Sequence, residues 1–193
     1  MIKLIGISGS LRSGSYNTAL LHTASEALRD TAALEIATLH GIPLYNEDIE
    51  HSEGVPQVVM ALQEKIASSD GLLLATPEYN NSMPGVLKNA IDWLSRPPSE
   101  IPRIFGERPV ALVGAAMGGF GTVLSQNAWL PVLRRLGMHP WFGKQVTLSR
   151  AHQIFDDSGK MVDEAARKQL EIFLAGFIDF VEASQKIKLY KNI

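Results

Sequence analysis

A chain of 193 residues, 46% of them apolar and 20% charged, suits one soluble domain with a full hydrophobic core. The formal charge of −2, with no basic run in the body of the chain, argues against nucleic acid as a partner. No stretch reaches the roughly 18 apolar residues of a membrane helix, and the absence of cysteine excludes disulfides, thiolate nucleophiles and thiolate metal ligands.

Ile2 to Ser8 is a short apolar run closed by Gly9 and reads as a buried parallel strand. The apolar start, Met1 to Ile7, is too short for a signal sequence, so a cytoplasmic protein is expected. A Gly- and Ser-rich loop follows, then Leu20, Ala24 and Leu28 at helical spacing. Leu34 to Leu39 predicts a second strand, broken at Gly41-Ile42-Pro43. Val55, Val59, Leu62 and Ile66 mark a helix with Pro56 in its first turn. Gly71 to Thr76 predicts the third strand, stopped by Pro77, and a helix runs from about Val86 to Leu94. Val110 to Ala115 is the fourth strand, followed by a Gly-rich loop and a helix carrying Leu124, Leu133 and Leu136. Trp141 to Leu148 is read as the fifth strand, and Val162, Ala166, Leu170, Phe173, Phe177 and Val181 form a last amphipathic helix. Residues 1–185 form one domain on this reading, and residues 186–193, with Lys186, Lys188 and Lys191, a short basic tail.

Strands alternating with helices predict a five-stranded, doubly wound parallel sheet with helices on both faces. Ligands of such sheets bind beyond the carboxyl ends of the strands, so the loops after the first, third and fourth strands carry the interest. The first, Gly9-Ser10-Leu11-Arg12-Ser13-Gly14-Ser15-Tyr16-Asn17, opens a helix. Its free N–H groups, the donors of Ser10, Ser15 and Asn17, and the Arg12 guanidinium suit a phosphate. Ser and Asn are also standard helix caps, and a capped loop without a ligand is the plainer alternative. Gly9 and Gly14 have the spacing of a nucleoside-triphosphate loop, but Ser15-Tyr16 replaces its Lys-Ser/Thr pair, so a terminal monophosphate fits better.

The second loop, Pro77-Glu78-Tyr79-Asn80-Asn81-Ser82-Met83-Pro84-Gly85, offers Tyr79 to shield a flat ring and Asn80 to hydrogen-bond it. A surface turn is the competing reading. The third loop, Gly114-Ala115-Ala116-Met117-Gly118-Gly119-Phe120-Gly121, brings main-chain N–H groups close to a ligand, or else is a turn before a helix. The five histidines are scattered, without the spacing of a helical zinc site. The acidic stretch Glu47, Asp48, Glu50 and Glu53 beside His51 reads as a solvated loop, and Glu78 has no general-base partner visible in sequence.

Together these loops resemble the NADPH-dependent FMN reductase family, which includes chromate and quinone reductases and some azoreductases. The resemblance rests on Gly9-Ser10-Leu11-Arg12-x-Gly14-Ser15-x-Asn17, on Leu44-Tyr45-Asn46-x-Asp48, and on Pro77-Glu78-Tyr79-Asn80-x-Ser82-x-Pro84-Gly85-x-Leu87-Lys88-Asn89-Ala90-Ile91-Asp92-Trp93. It implies a flavodoxin-like fold with strand order 2-1-3-4-5, bound FMN, and a homodimer or homotetramer. It implies FMN phosphate on Ser10, Arg12, Ser15 and Asn17, with Tyr16 counted beside them. The isoalloxazine is implied against Pro77, Glu78, Tyr79 and Asn80, with Ser82 nearby. Ala116, Met117 and Gly118 contribute backbone only, because Ala115-Ala116-Met117 stands where many relatives carry a serine.

The implied activity is ping-pong transfer of reducing equivalents from NADPH or NADH through FMN to quinones, azo compounds, chromate or free flavin. It needs no protein nucleophile or metal. Two alternatives stand beside it: an FMN-binding electron carrier without NAD(P)H turnover, and a protein that keeps the fold without the flavin.

Overall fold

Why the strands are buried on both faces follows from their alternation. In β1 (Ile2–Ser8), Ile2 and Leu4 enter one apolar cluster while Ile5 and Ile7 enter another across the sheet. The same division puts Leu73 and Ala75 of β3 (Gly71–Ala75) on one side, and Leu72 and Leu74 on the other. The structure, a computed structural model, describes the backbone of residues 1–191 and the side chains of residues 1–187. The backbone of residues 186–191, expected from sequence as a basic tail, instead continues the last helix, Glu164–Lys191, and residues 192–193 lie outside the described residues.

The sheet runs β2-β1-β3-β4-β5, with β6 also pairing β4, and every pairing is parallel. Here β2 is Ala32–Ala37, β4 Pro109–Ala115, β5 His139–Pro140 and β6 Val146–Leu148. The flavodoxin-like order implied by the family resemblance is the observed one, with the sixth strand added. One face is covered by α1 (Tyr16–Leu28) and α8 (Glu164–Lys191), whose Leu20, Leu21, Leu170, Phe173 and Phe177 are buried there. The other face carries α3 (Gln57–Ala67), α4 (Gly85–Leu94), α5 (Ile101–Ile104) and α6 (Val123–Arg135), around the buried Trp93 and Trp129. A short α7 (Ala151–Ile154) links β6 to α8.

Three elements differ from the sequence reading. The predicted fifth strand, Trp141 to Leu148, is split. The Trp141 N–H still donates to the Val110 carbonyl of β4 at 2.8 Å, while its ring stacks edge-on against Phe173 with centroids 4.8 Å apart, and after the intervening residues Val146–Leu148 pair with β4 again. A Cβ at Gly143 or Gly176 would stand 2.7 or 2.8 Å from the Trp141 ring, so those two glycines make the notch that holds it. The acidic stretch forms helix α2 (Glu47–Glu53) rather than a loop, capped by Asn46, whose Oδ1 accepts from the Asp48 N–H at 2.9 Å. The second strand begins two residues earlier than Leu34 and ends before Leu39.

Register places the site. Ser8 lies beside Ala75, Ala75 beside Val113, and Ala115 beside Leu148. The loops leaving β1, β3 and β4 therefore emerge side by side, next to the switch point where the chain order turns from β2 to β3 across β1.

Candidate functional site

The first loop is clasped to the second at its root. Gly9 donates its N–H to the Ala75 carbonyl at 2.8 Å, and a Cβ at Gly9 would meet Pro77 Cδ and Leu87 Cδ2 at 2.9 Å. Only glycine permits that approach. Further along, Ser10 is buried and its Oγ accepts from the Arg12 N–H at 3.3 Å, while Ser15 caps α1 through the Thr18 N–H at 3.4 Å. Each hydroxyl is thus fixed as an acceptor on one side, with its own hydrogen left to donate. The N–H groups of Tyr16 and Asn17, in the first turn of α1, have no acceptor among the described residues. Nor does the exposed Arg12 guanidinium have an ion pair there. The donors gathered at this end suit an anion.

In the second loop, Tyr79 and Ser82 exchange N–H···O bonds of 3.0 Å in both directions, and Asn80 and Asn81 both have positive φ, 51° and 60°. That is a two-residue type I′ turn, for which paired asparagines are well suited. Glu78 also has a structural task. Its Oε2 accepts from the N–H groups of Leu124 and Ser125 at 2.9 and 3.1 Å, capping α6, which Thr122 does not cap with its side chain. Behind it, Trp129 Nε1 donates to Thr76 Oγ1 at 3.0 Å, and that hydroxyl is 2.8 Å from Ser125 Oγ. Glu78→Ala should therefore lower stability by about 0.5–2 kcal/mol, the usual cost of a lost N-cap. Urea melts read this directly, and an unchanged midpoint would remove the capping role.

The third loop is pinned at both ends. Asn17 donates from Nδ2 to the Ala115 carbonyl at 2.9 Å and accepts the Ala115 N–H on Oδ1 at 3.0 Å. The Ala116 N–H goes to Leu148, while the Ala116 and Gly118 carbonyls accept from Ala151 and Arg150. The N–H groups of Met117, Gly118, Gly119 and Phe120 remain without an acceptor among the described residues.

These three loops enclose a cleft of about 340 Å³. Of the residues singled out from sequence, it brings together Ser10, Arg12, Ser15, Tyr16, Asn17, Pro77, Glu78, Tyr79, Ala116, Met117 and Gly118. Asn80 and Ser82 do not line it, because the turn directs Asn81 there instead. Ala115, Gly119, Phe120 and Gly121 also line it and were not singled out, although all four stand in the Gly-rich loop that was. A larger hollow, about 830 Å³, runs along α1 beside residues 156–161. It lies away from the second and third loops, so the smaller cleft, where three strand ends converge, is the better candidate for the chemistry.

The cleft has two unlike ends. Its α1 end holds Arg12, two hydroxyls and free N–H groups, and the Glu78 carboxylate is turned to α6. Its other end combines unpaired loop N–H groups with the exposed side chains of Tyr79, Met117 and Phe120, the last 86% exposed. A phosphate at one end and a flat ring with polar edges at the other match this donor set, and FMN has both.

The sequence matches the model of the NADPH-dependent FMN reductase family over residues 2–153. It is 46% identical over 170 residues to an NAD(P)H-dependent FMN reductase of Pseudomonas aeruginosa, spanning 88% of this chain and 90% of that one. It is 34% identical over 180 residues to a 2-hydroxy-1,4-benzoquinone reductase of a Burkholderia species, spanning 93% and 96%. Among solved structures, the flavoenzyme NAD(P)H:(acceptor) oxidoreductase FerB of Paracoccus denitrificans superposes with a TM-score of 0.83 at 30% identity, spanning 95% and 99%.

Proposed function

The chain belongs to the NADPH-dependent FMN reductase family, and from that premise we propose that it takes electrons from NAD(P)H through FMN to quinones and other small acceptors. The observation that carries this reading is the two-ended cleft at the switch point. Ser10, Arg12, Ser15 and the N–H groups of Tyr16 and Asn17 hold the phosphate. The backbone of residues 77–79 and 116–120 borders the ring. When bound, FMN supplies the hydride-accepting and hydride-donating chemistry.

The protein's own part is orientation and electrostatics. The N–H groups of Met117 to Phe120 are fixed dipoles that favour negative charge at the ring edge, needing no rearrangement to do so. Asn17 keeps that loop in place from 98 residues away. Tyr79, Met117 and Phe120 form an apolar rim that suits flat acceptors such as quinones, and azo compounds and free flavin share that shape. Chromate, which has no apolar surface, would use the open rim without gaining from it. A single rim must serve the nicotinamide and the acceptor in turn, which favours ping-pong order. Initial-rate plots should be parallel, and intersecting plots would exclude it. No helix among the described residues is long and apolar enough to cross a membrane.

A spectrum of the protein reconstituted with FMN, taken before and after anaerobic NADPH, tests the reading. Stoichiometric flavin whose visible absorbance bleaches supports a reductase. Flavin that stays oxidised with both NADPH and NADH would favour an electron carrier, and no bound flavin would overturn the assignment. For Arg12→Ala, loss of one charge-assisted hydrogen bond at about 1.5–3 kcal/mol should weaken FMN roughly 10- to 150-fold. An unchanged dissociation constant would remove Arg12 from the phosphate site.

A further inference from the structure

The 830 Å³ hollow along α1 is not used by the reading above. We propose, resting on that reading, that it seats the adenylate half of FAD, so that the chain accepts FAD as well as FMN in one continuous site. The hollow begins where the phosphate end of the flavin cleft stops. Ser15 and Tyr16 line both, and Ser13 and Gly14 lead from one to the other. A Cβ at Gly14 would meet nothing within 4 Å, so the passage is open. A group attached to the phosphate would run into this hollow and away from the ring.

The far wall is a tight hairpin. Asp156 Oδ1 accepts from Ser158 Oγ at 2.6 Å and from the N–H groups of Ser158 and Lys160 at 2.9 and 3.0 Å, and Phe155 bridges Met161. These bonds hold the Asp156 carboxyl below its usual range. Tyr16 stacks on Phe155 with centroids 5.7 Å apart, which fixes the hairpin beside the phosphate loop. With Asp156 engaged in its own turn, Glu26 and Asp157 are the carboxylates left without an ion pair or hydrogen bond among the described residues, and both are exposed to the hollow.

A ribose diol is the natural donor for such carboxylates, as in dinucleotide sites where an acidic side chain holds the ribose. His22 offers a flat ring for the base. The volume lies within the roughly 300–1,000 Å³ of small-molecule sites. Charge decides between adenylates: Glu26, Asp156 and Asp157 against Lys160 leave the wall negative, which opposes the 2′-phosphate of NADPH and favours a plain ribose. FAD and NADH both carry one, but the FAD adenylate is the one joined to the phosphate end.

The test is calorimetric titration of the flavin-free protein with FMN and with FAD, in the wild type and in the double variant Glu26→Gln/Asp157→Asn. Both positions are exposed and both changes keep shape. Wild type should bind both flavins, and the variant should lose about tenfold for FAD, the effect of weakened charged hydrogen bonds, while keeping FMN unchanged. FMN binding without FAD overturns this proposal alone, as does FAD affinity equal in both proteins. A raised KM for NADH in the FMN-loaded variant, with FAD binding unchanged, would give the hollow to the co-substrate instead. Failure of both flavins to bind overturns the flavin reading together with this one.

Discussion

Asn17→Ala is expected to destabilise the protein by about 2–6 kcal/mol, since it strands two buried main-chain groups at about 1–3 kcal/mol each. Asn17 and Ala115 are 3% and 2% exposed, so water does not readily replace the lost carboxamide. The β3–β4 ladder ends at Ala75 beside Val113, and Ala115 lies beyond it. The Asn17 side chain serves there in place of a neighbouring strand, satisfying both the N–H and the carbonyl. For a domain of this size, the loss corresponds to a fall in melting temperature of roughly 5–20 °C. FMN affinity should fall too, because the third loop is no longer tied to the first. Thermal melts with and without FMN separate the two effects. A variant with the wild-type melting temperature would show that Ala115 finds another partner.

This pair also shows where a sequence stops being informative. The apolar runs of β1, β3 and β4 are local, and so is the loop opening α1, which made the strands and the candidate phosphate loop legible, while the strand order came with the family resemblance. Asn17 was readable as a polar residue at a helix start, but its partner is 98 residues away, and nothing local marks it. Glu78 is similar: its carboxylate caps a helix 46 residues on, a role invisible until the two loops are side by side. Asn80 was legible in type but not in use: both asparagines take the positive φ of the two-residue turn, and of the pair it is Asn81 that lines the cleft. The fifth strand failed for a tertiary reason, the notch that Gly176 of α8 opens for Trp141. Helix α2 is different, because its signal was present. Asn46 followed by Glu47, Asp48 and Glu50 is a capped, acidic first turn.

The Gly-rich loop yields the second large expectation, because its glycines are glycine for different reasons. A Cβ at Gly114 would fall well inside contact distance of Thr122 Oγ1 and the Thr76 carbonyl, and 2.9 Å from Thr122 Cβ. Neither obstacle can move freely. Thr122 and Thr76 are both fully buried, Thr122 Oγ1 accepts from Gln126 Nε2, and Thr76 is bonded to Trp129 and Ser125. Gly114→Ala should therefore cost at least the upper part of the roughly 1–3 kcal/mol typical of overpacking. Relief requires β4 to part from the start of α6, which would also loosen the Glu78 cap and open the cleft between the three loops. At Gly119 an added Cβ meets nothing within 4 Å and φ is not positive, so Gly119→Ala should melt like the wild type. Denaturant melts of the two variants side by side decide the matter. Equal midpoints would mean that the strand end yields to a methyl group, and that the close approach at Gly114 does not hold the site together.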